Sequence, residues 1–160
     1  MKTPEPSCLG GVTETIIQFL ILNIPIFSRM KSDELHIIGK CLKKVDVLPD
    51  DTVFREGDRG DYVCFVVEGV LDVYKTSETG EEMLISTLEQ GRSIGEMSII
   101  DELPRSATVK ARSRGTLLTL SKDRFDYIVS QHPAVGVKIL KGIARLLSLN
   151  LRKTSSLLAD

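Results

Sequence analysis

The sequence predicts a single mainly β domain of the α+β class, in which short antiparallel strands are flanked by helices at both ends. Its 160 residues are the length of one ordinary domain and suffice to bury a hydrophobic core. Hydrophobic residues make up 42% of the chain and charged residues 27%, a balance typical of soluble globular proteins. Between residues 45 and 120, short runs rich in β-branched and aromatic side chains are separated by glycines and polar turns, which is typical of an antiparallel barrel, sandwich or jelly roll.

The start of the chain indicates a flexible segment followed directly by the domain. Residues 1–11 hold two prolines and two glycines, so we expect them to be flexible and the folded domain to occupy residues 12–160. The apolar run over residues 16–26 is interrupted by polar side chains and is shorter than the roughly 20 residues that span a bilayer. It also lacks the basic flank and the cleavage site of a secretory signal. We therefore expect a cytoplasmic protein without a membrane anchor.

Two helices are predicted ahead of the strands. The first should run from Thr13 to about Leu22, because Pro25 disfavours its continuation. The second should begin at Ser32, whose hydroxyl can cap a helix with an acidic first turn, and end near Leu42.

Short strand candidates with turn residues between them fill the middle of the chain. The strand candidates are Val45–Leu48, Thr52–Phe54, Tyr62–Glu68, Val70–Thr76, Glu82–Leu88, Ser106–Ala111 and Gly115–Ser121. Turns are indicated at Gly57, Gly60 and Gly80, since glycine adopts the positive φ angles that tight turns require.

The chain returns to a helical period after the last strand. Helices are predicted over Lys122–Ser130 and from Pro133 to about Leu158, where proline suits a first-turn position. In the last helix, apolar residues at three-and-four spacing form a stripe. The stripe consists of Leu140, Ile143 or Ala144, Leu147 and Leu151. Further apolar residues lie on both sides of it, so we expect the helix to be covered on more than one side.

Composition argues against several classes of function. Cys8, Cys41 and Cys64 are widely spaced and have no histidines at ligand spacing, so neither a disulfide framework nor a metal site is indicated. Residues 1–90 carry a net charge of −7 and residues 91–160 a net charge of +6. The basic residues are nevertheless dispersed, and no helix-turn-helix, zinc finger or aromatic platform is legible, so direct nucleic-acid binding is not expected.

The most informative segment is GRSIGEMSIIDELPRSATVKA, which begins at Gly91. Gly95 permits close backbone approach, and the amides that open a short helix after it can donate to an anion. Arg105 can donate charge-assisted hydrogen bonds to phosphate oxygens, whereas the Glu96 carboxylate can only accept, as from a sugar hydroxyl. Together these residues describe a site for a sugar phosphate. The alternative is a structural ion pair between Glu96 and Arg105 in an empty fold.

At these residues the sequence resembles the phosphate-binding segment of cyclic-nucleotide-binding domains, a family that includes catabolite activator proteins and regulatory subunits of the cAMP-dependent protein kinase. The matching residues are Gly95, Glu96, Pro104, Arg105, Ala107, Thr108 and Val109, and the upstream GDRGDYVCFVVEGVLDVYK is also similar. The resemblance implies an eight-stranded antiparallel β-roll, jelly-roll-like, between N-terminal helices and a long C-terminal lid helix. From the one-domain length of the chain we expect a stand-alone domain.

The resemblance also implies roles for individual residues. Arg105 would pair with the cyclic phosphate and Glu96 with the ribose 2′-hydroxyl, while backbone groups at Gly95, Met97, Ser98 and Ala107 would complete the cradle. Ser106 would reach the phosphate or the base. Candidates for contacting the base are Val73 and Ile85, for which a plain core role stays equally open, and Asn150, which could equally face solvent. The acidic pair Asp101 and Glu102 is expected in an exposed turn.

The function expected from this resemblance is regulatory binding of a cyclic nucleotide, cAMP rather than cGMP, with no catalysis and no cofactor or metal. The C-terminal helix would transmit binding to a protein partner or to a second copy in a homodimer formed through its apolar stripe. In the competing arrangement the whole stripe packs against the chain's own β-roll and the protein is a monomer. Two alternatives stay open at this point. One is a ligand-free β-roll scaffold for oligomerisation, and the other is the sensor portion of a transcription regulator without its DNA-binding domain.

Overall fold

Eight strands form two four-stranded antiparallel sheets in the computed structural model, which describes residues 14–159. The strands are β1 (Lys43–Val47), β2 (Thr52–Phe54), β3 (Tyr62–Glu68), β4 (Leu71–Thr76), β5 (Glu82–Leu88), β6 (Ser93–Ile94), β7 (Thr108–Ala111) and β8 (Gly115–Ser121). The helices are α1 (Glu14–Asn23), a 3₁₀ helix (Pro25–Phe27), α2 (Ser32–Cys41), α3 (Glu96–Asp101), α4 (Lys122–Gln131) and α5 (Pro133–Leu158). The predicted eight-stranded antiparallel roll between helices is confirmed.

The two sheets enclose the first part of the core. One sheet has the order β1-β8-β3-β6 and the other the order β2-β7-β4-β5. Cys64 and Val66 of β3 point inward and meet Val109 and Leu117 from other strands. Val63 and Phe65, which alternate with them, belong to a second core on the outer face of that sheet. Because β3 is buried on both faces, its sequence is a continuous apolar run rather than an alternating one.

The helices cover the outer face of the first sheet. Phe27 of the 3₁₀ helix stacks against Phe65 with 5.1 Å between ring centroids, and Leu20, Ile38 and Ile128 fill the space around them. These side chains are almost completely buried. Burying each contributes about 1.5–3 kcal/mol relative to exposure, so the helical layer and the roll stabilise one another.

Helix α5 packs on the 3₁₀ helix and on α4 rather than on the inner surface of the roll. A Cβ atom on Gly142 would lie 2.5 Å from the Ile26 carbonyl oxygen, and one on Gly136 would lie 2.9 Å from the Val129 Cα. Gly142 therefore lets α5 touch the backbone of the 3₁₀ helix, and Gly136 lets it touch the backbone of α4. The close approach that Gly142 permits is made within the chain.

The apolar stripe of α5 is divided by this packing. Ile143 is 3% exposed in the helical core and Leu147 packs partly against that core, whereas Leu140 and Leu151 are 38% and 68% exposed. The prediction that all four residues form one free seam is therefore wrong, because Ile143 and Leu147 cover the chain's own core.

Several boundaries differ from the sequence-based expectation. The N-cap of α2 is Lys31 and not Ser32, and the Lys31 N–H donates to the Glu34 carboxylate at 2.9 Å. The two-residue strand β6 was not foreseen, since so short a pair has no readable alternation. Strand β1 begins two residues early, and β7 begins at Thr108 because Arg105 to Ala107 belong to the loop before it. The flexible segment expected over residues 1–11, and Cys8 within it, lie outside the described residues.

Candidate functional site

The segment between β6 and β7 folds around a pocket of about 120 Å³. Gly95, with φ of 88°, turns the chain from β6 into the short helix α3, and the chain then returns to β7 through an exposed loop. The pocket is lined by Phe54, Ile94, Gly95, Glu96, Met97, Ser98, Arg105, Ser106, Ala107 and Val109. All seven residues predicted to hold the sugar phosphate therefore surround one cavity.

Arg105 is fixed in the wall of this pocket and is 5% exposed. Its guanidinium carbon lies 3.6 Å from the centroid of the Phe54 ring and 4.8 Å from that of Tyr62, and Nη2 donates to the Tyr62 carbonyl oxygen at 2.6 Å. The Arg105 N–H donates to the Asp58 carbonyl oxygen at 2.8 Å, and the Gly57 N–H donates to the Arg105 carbonyl oxygen at 2.9 Å. The cation–π contacts and these hydrogen bonds to the backbone together hold the Arg105 side chain in this orientation.

Within the described residues, only two buried side-chain polar atoms have no hydrogen-bond partner, and both are in this pocket. They are Nη1 of Arg105 and Oε2 of Glu96. Glu96 is 9% exposed, and burial raises the pKa of its carboxyl above the ordinary value. Burial likewise lowers the pKa of the Arg105 guanidinium. Buried polar groups are nearly always paired in native proteins, so this pair of exceptions marks a place where a ligand can donate to Glu96 and accept from Arg105.

Glu96 and Arg105 do not pair with each other, since the ion pairs found between residues 14 and 159 include none between them. The alternative of a structural ion pair in an empty fold is therefore not what the structure contains. The Glu96 carboxyl and the Arg105 guanidinium instead line the cavity separately, without a bond to each other.

Two glycines make room for this arrangement. A Cβ atom on Gly95 would lie 2.5 Å from Arg105 Nη1 and 2.9 Å from the Phe54 ring, in addition to the strain of a positive φ. A Cβ atom on Gly60 would overlap the Ser98 side chain. The backbone beside the arginine must therefore be free of side chains.

The acidic pair Asp101 and Glu102 lies on the surface, as expected. Both are exposed, and the Glu102 carboxylate pairs with Lys122 at 2.9 Å. Lys122 also pairs with Asp126 at 2.8 Å, and these two carboxylates raise the pKa of its ammonium. Glu102 is therefore directed to the start of α4, and the Asp101 carboxylate accepts from the Leu103 N–H at 3.0 Å, so neither is engaged in the pocket.

Three residues that shape the site were not among the predicted site residues, namely Phe54, Gly60 and Tyr62. Phe54 packs edge to face with Tyr62 at a centroid distance of 5.1 Å, and this aromatic pair supports the arginine. Arginine's preference for aromatic faces was the only signal for the two rings, and it does not indicate which of the chain's three tyrosines and five phenylalanines lie beside Arg105.

The three predicted base contacts lie outside this pocket. Val73 is 6% exposed in the core between the sheets, opposite Val109, so the plain core role left open for it is the one observed. Ile85 is 57% exposed on β5, and Asn150 is exposed near the end of α5. Contact of Ile85 or Asn150 with a base stays a prediction.

Two further observations concern the described residues as a whole. Between residues 14 and 159, no three His, Cys, Asp or Glu side chains are grouped so that they could hold a metal ion. No helix in the same range combines the length and the apolar character needed to cross a bilayer.

Comparison with known proteins gives one consistent result. A family model described as cyclic nucleotide-binding domain matches residues 44–132. The cAMP-dependent protein kinase regulatory subunit of Yarrowia lipolytica is 35% identical over 106 residues, which are 66% of this chain and 28% of that protein. A CRP-like cAMP-activated global transcriptional regulator of Mycobacterium tuberculosis is 26% identical over 84% of this chain and 58% of its own length. The chain thus spans only part of these relatives.

The fold agrees with these matches. A cyclic nucleotide-binding domain from Methylobacillus flagellatus superposes with a TM-score of 0.80 at 27% identity, covering 89% of this chain and 82% of the other. The regulatory subunit of a cAMP-independent protein kinase A from Trypanosoma brucei superposes with a TM-score of 0.68 at 26% identity, covering 82% and 47%. Because the family match covers the roll and the pocket segment, the chain belongs to the cyclic nucleotide-binding domain family.

Proposed function

We propose that this chain is a regulatory module that binds cAMP in the pocket of Glu96 and Arg105 and passes the binding event to a partner through α5. The observation that carries the proposal is the pair of unpaired buried atoms, Oε2 of Glu96 and Nη1 of Arg105. A cyclic nucleotide supplies the matching groups, since its phosphate accepts from a guanidinium and its ribose 2′-hydroxyl donates to a carboxylate. Gly95, Met97, Ser98, Ser106 and Ala107 would form the rest of the cradle.

Arg105 favours a phosphate-bearing ligand over a nucleoside. The Trypanosoma brucei relative is named as cAMP-independent, so the ligand has to be argued for each member of the family. In this chain a nucleoside would leave Arg105 Nη1 buried and unpaired, at a cost of about 1–3 kcal/mol or more for a charged donor. The preference for cAMP over cGMP is supported by the relatives named as cAMP-dependent or cAMP-activated.

The C-terminal end of α5 is the part of the domain best suited to transmit ligand binding to a partner. Lys138, near its start, pairs with Glu34 of α2 at 2.6 Å and anchors the helix. From residue 148 to residue 159 every position is exposed, including Leu149, Leu151 and Leu157. Helix α5 is thus anchored near its start and exposed over residues 148–159, which form its bare end. This end can move onto the pocket or onto a protein partner without disrupting the core.

The form of partner that the chain alone supports is a homodimer, with Leu151 of this bare end in the contact and the exposed Leu140, which precedes it in α5, beside it. An apolar surface rimmed by basic residues, such as Arg145, Arg152 and Lys153, is typical of an interaction site. A different protein partner, or the body of a transcription regulator, would use the same end of the helix.

The competing function is a ligand-free scaffold, which would gain nothing from burying two unpaired charged side chains. Calorimetric titration separates the two. We expect cAMP to bind with one site per chain, cGMP to bind more weakly, and adenosine, which lacks the phosphate, to bind at least about tenfold more weakly than cAMP, given the loss of a charge-assisted contact. The absence of heat with both cyclic nucleotides would overturn the proposal. Nucleotide recovered after incubation should still be cyclic, since the proposed role is binding without catalysis.

A further inference from the structure

A second cavity, of about 470 Å³, opens along the roll between β1, β2, β3 and β8. It shares no lining residue with the pocket of Glu96 and Arg105. The apolar part of its lining comes from Val45, Val47, Val53, Leu117 and the ring of Tyr62, and the hydroxyls of Thr52, Thr119 and Ser121 lie between them. Sites for small organic ligands are concave, combine apolar walls with a few polar groups and measure about 300–1,000 Å³, and this groove falls within that description.

The rim of the groove is acidic. The carboxylates of Asp46, Asp51 and Asp61 border it together with the ammonium of Lys43, and the ammonium of Lys44 pairs with Asp46 at 4.0 Å. Asp51 accepts a hydrogen bond from the Leu48 N–H at 2.8 Å, and Asp46 accepts one from the Thr116 hydroxyl at 3.0 Å. Asp61 is exposed and belongs to none of the ion pairs found between residues 14 and 159, while its charge acts at longer range on Arg105. The rim therefore favours a positively charged ligand, and Asp61 is available to bind it.

We propose that this groove binds a small organic cation, a molecule that joins an apolar or aromatic body to an ammonium group. The body would rest on the valines and on the Tyr62 ring, whose face attracts cations as well as apolar groups. The ammonium would lie at the rim beside Asp61. An anion of the same shape would meet three carboxylates and is disfavoured.

Tyr62 connects this groove to the arginine of the other pocket. Its ring lines the groove, its hydroxyl donates to the Val53 carbonyl oxygen at 2.7 Å, and its own carbonyl oxygen accepts from Arg105 Nη2 at 2.6 Å. Cys64, two residues further along β3, also lines the groove and is fully buried. A ligand that presses on Tyr62 and Val53 acts on the residues that orient Arg105. Occupancy of the groove should therefore change the affinity of the nucleotide pocket, an effect that rests on the function proposed above.

Three indole compounds of nearly equal size and different charge test the groove directly. They are tryptamine, which is a cation, tryptophol, which is neutral, and indole-3-acetate, which is an anion. The chain contains no tryptophan, so indole fluorescence and its anisotropy report only the probe. We expect tryptamine to bind most tightly and indole-3-acetate most weakly. Equal affinity of all three, or no binding of tryptamine at millimolar concentration, would overturn the proposal.

Variants of the full chain locate the bound probe. Asp61→Asn should weaken tryptamine binding about threefold to tenfold, as expected for a partly exposed charge pair, and leave tryptophol binding unchanged. Val45→Phe, which fills the groove, should weaken both. Glu78→Gln removes an exposed carboxylate from the turn between β4 and β5 and is the matched control. Tryptamine affinity that is the same in Asp61→Asn as in Glu78→Gln would show that the groove is not its site.

The coupling is tested separately, by titrating cAMP with and without saturating tryptamine. We expect the dissociation constant of cAMP to change at least about fivefold, the lower end of typical allosteric couplings. An unchanged constant would overturn the link through Tyr62. A chain that binds tryptamine but no cyclic nucleotide would contradict the proposed function and leave the groove assignment intact.

Discussion

Glu96 and Arg105 line the same pocket, are 9% and 5% exposed, and are joined by no ion pair. An isolated buried charge is costly, and the usual solution in a protein interior is to pair the two opposite charges available. In this domain the cation–π stack on Phe54 and the hydrogen bond to Tyr62 hold Arg105 in place, so it does not turn to Glu96. The arrangement is complementary to a molecule that brings its own hydroxyl donor and its own anion.

Replacing Arg105 by alanine should weaken cAMP binding at least about tenfold to a hundredfold, because one or more charge-assisted hydrogen bonds of about 1.5–3 kcal/mol are lost. Arg105→Lys retains the charge but lacks the planar fork and the stacking on Phe54, so it should recover only part of the affinity. Calorimetry measures both variants, and circular dichroism checks that each is folded. A folded Arg105→Ala chain with wild-type affinity would contradict the assignment of Arg105 to the phosphate.

Glu96→Gln should have opposite effects on binding and on stability. Burial raises the pKa of Glu96 in the folded chain, so the charged form destabilises the free domain at neutral pH. The amide removes that charge and should raise the free energy of unfolding by about 0.5–2 kcal/mol, as measured by urea denaturation. This stabilisation should disappear as the pH falls below the raised pKa, where Glu96 is itself neutral.

The same variant should bind cAMP more weakly, because an amide accepts a weaker hydrogen bond from the ribose 2′-hydroxyl than a carboxylate does. The matched ligand is 2′-deoxy-cAMP, which lacks that hydroxyl. It should bind wild type and Glu96→Gln with similar affinity. Equal losses for cAMP and 2′-deoxy-cAMP would show that Glu96 does not hold the 2′-hydroxyl.

Gly95→Ala should impair the pocket by more than backbone strain alone. The new Cβ would meet Arg105 Nη1 and the Phe54 ring, and φ at this position is 88°. Gly80→Ala is the matched control, since φ is 86° there and nothing lies within 4 Å of the added Cβ. The control should cost about 1 kcal/mol of stability and no affinity for cAMP. Gly95→Ala should cost more stability and most of the affinity, and equal behaviour of the two variants would contradict the proposed crowding.

Most strands and helices could be predicted because their signals are local, whereas their arrangement as a β-roll was implied by the family resemblance. Strand β3 was foreseen from its apolar run and α4 from its period, and both occur where expected to within a residue. The cap of α2 was misplaced by one residue because Ser32 has the right chemistry, while the hydrogen bond that closes the first turn comes from the Lys31 backbone to Glu34. Residue type alone therefore does not decide which of the adjacent residues Lys31 and Ser32 caps the helix.

The pocket segment was predictable because its residues are close in sequence, whereas its supports were not. Phe54 and Tyr62 lie more than 40 residues before Arg105, and the pairing of β2 with β7 and of β3 with β6 brings their strands to the pocket segment. The division of the α5 stripe has the same origin. Ile143 is buried because Gly142 lets the helix touch the backbone at Ile26, a contact that periodicity within α5 cannot reveal.

Stability should depend on pH through the link between α2 and α5. Lys138 donates to both oxygens of Glu34 at 2.6 and 2.8 Å, and this hydrogen bond lowers the pKa of Glu34 from its ordinary value of 4.5. Because the pKa of Glu34 is lower in the folded chain than in the unfolded chain, the ion pair stabilises the fold at pH values above the unfolded-state pKa. This stabilisation is lost as the pH falls through the folded-state pKa.

Glu34→Gln should therefore lower the urea midpoint at neutral pH, by an amount corresponding to up to about 1 kcal/mol, and the difference from wild type should shrink below about pH 4. Glu78→Gln, which removes an exposed carboxylate without an ion pair, should give no such pH dependence. A difference for Glu34→Gln that stays constant from neutral to acidic pH would mean that the ion pair does not contribute.

The bare end of α5 should hold two copies of the chain together. Leu151 is 68% exposed, and burying a leucine of this kind contributes about 1.5–3 kcal/mol before the costs of association. Leu147→Glu is a poor test, because Leu147 packs partly against the chain's own core and a charge there would disturb the fold. Leu151→Glu changes only the exposed surface, and Leu22→Glu, on the 80% exposed Leu22 of α1, is the matched control. Sedimentation velocity should show a dimer for wild type and for Leu22→Glu and a monomer for Leu151→Glu. A wild-type chain that sediments as a monomer at high micromolar concentration, with and without cAMP, would refute the dimer and leave α5 to a different partner.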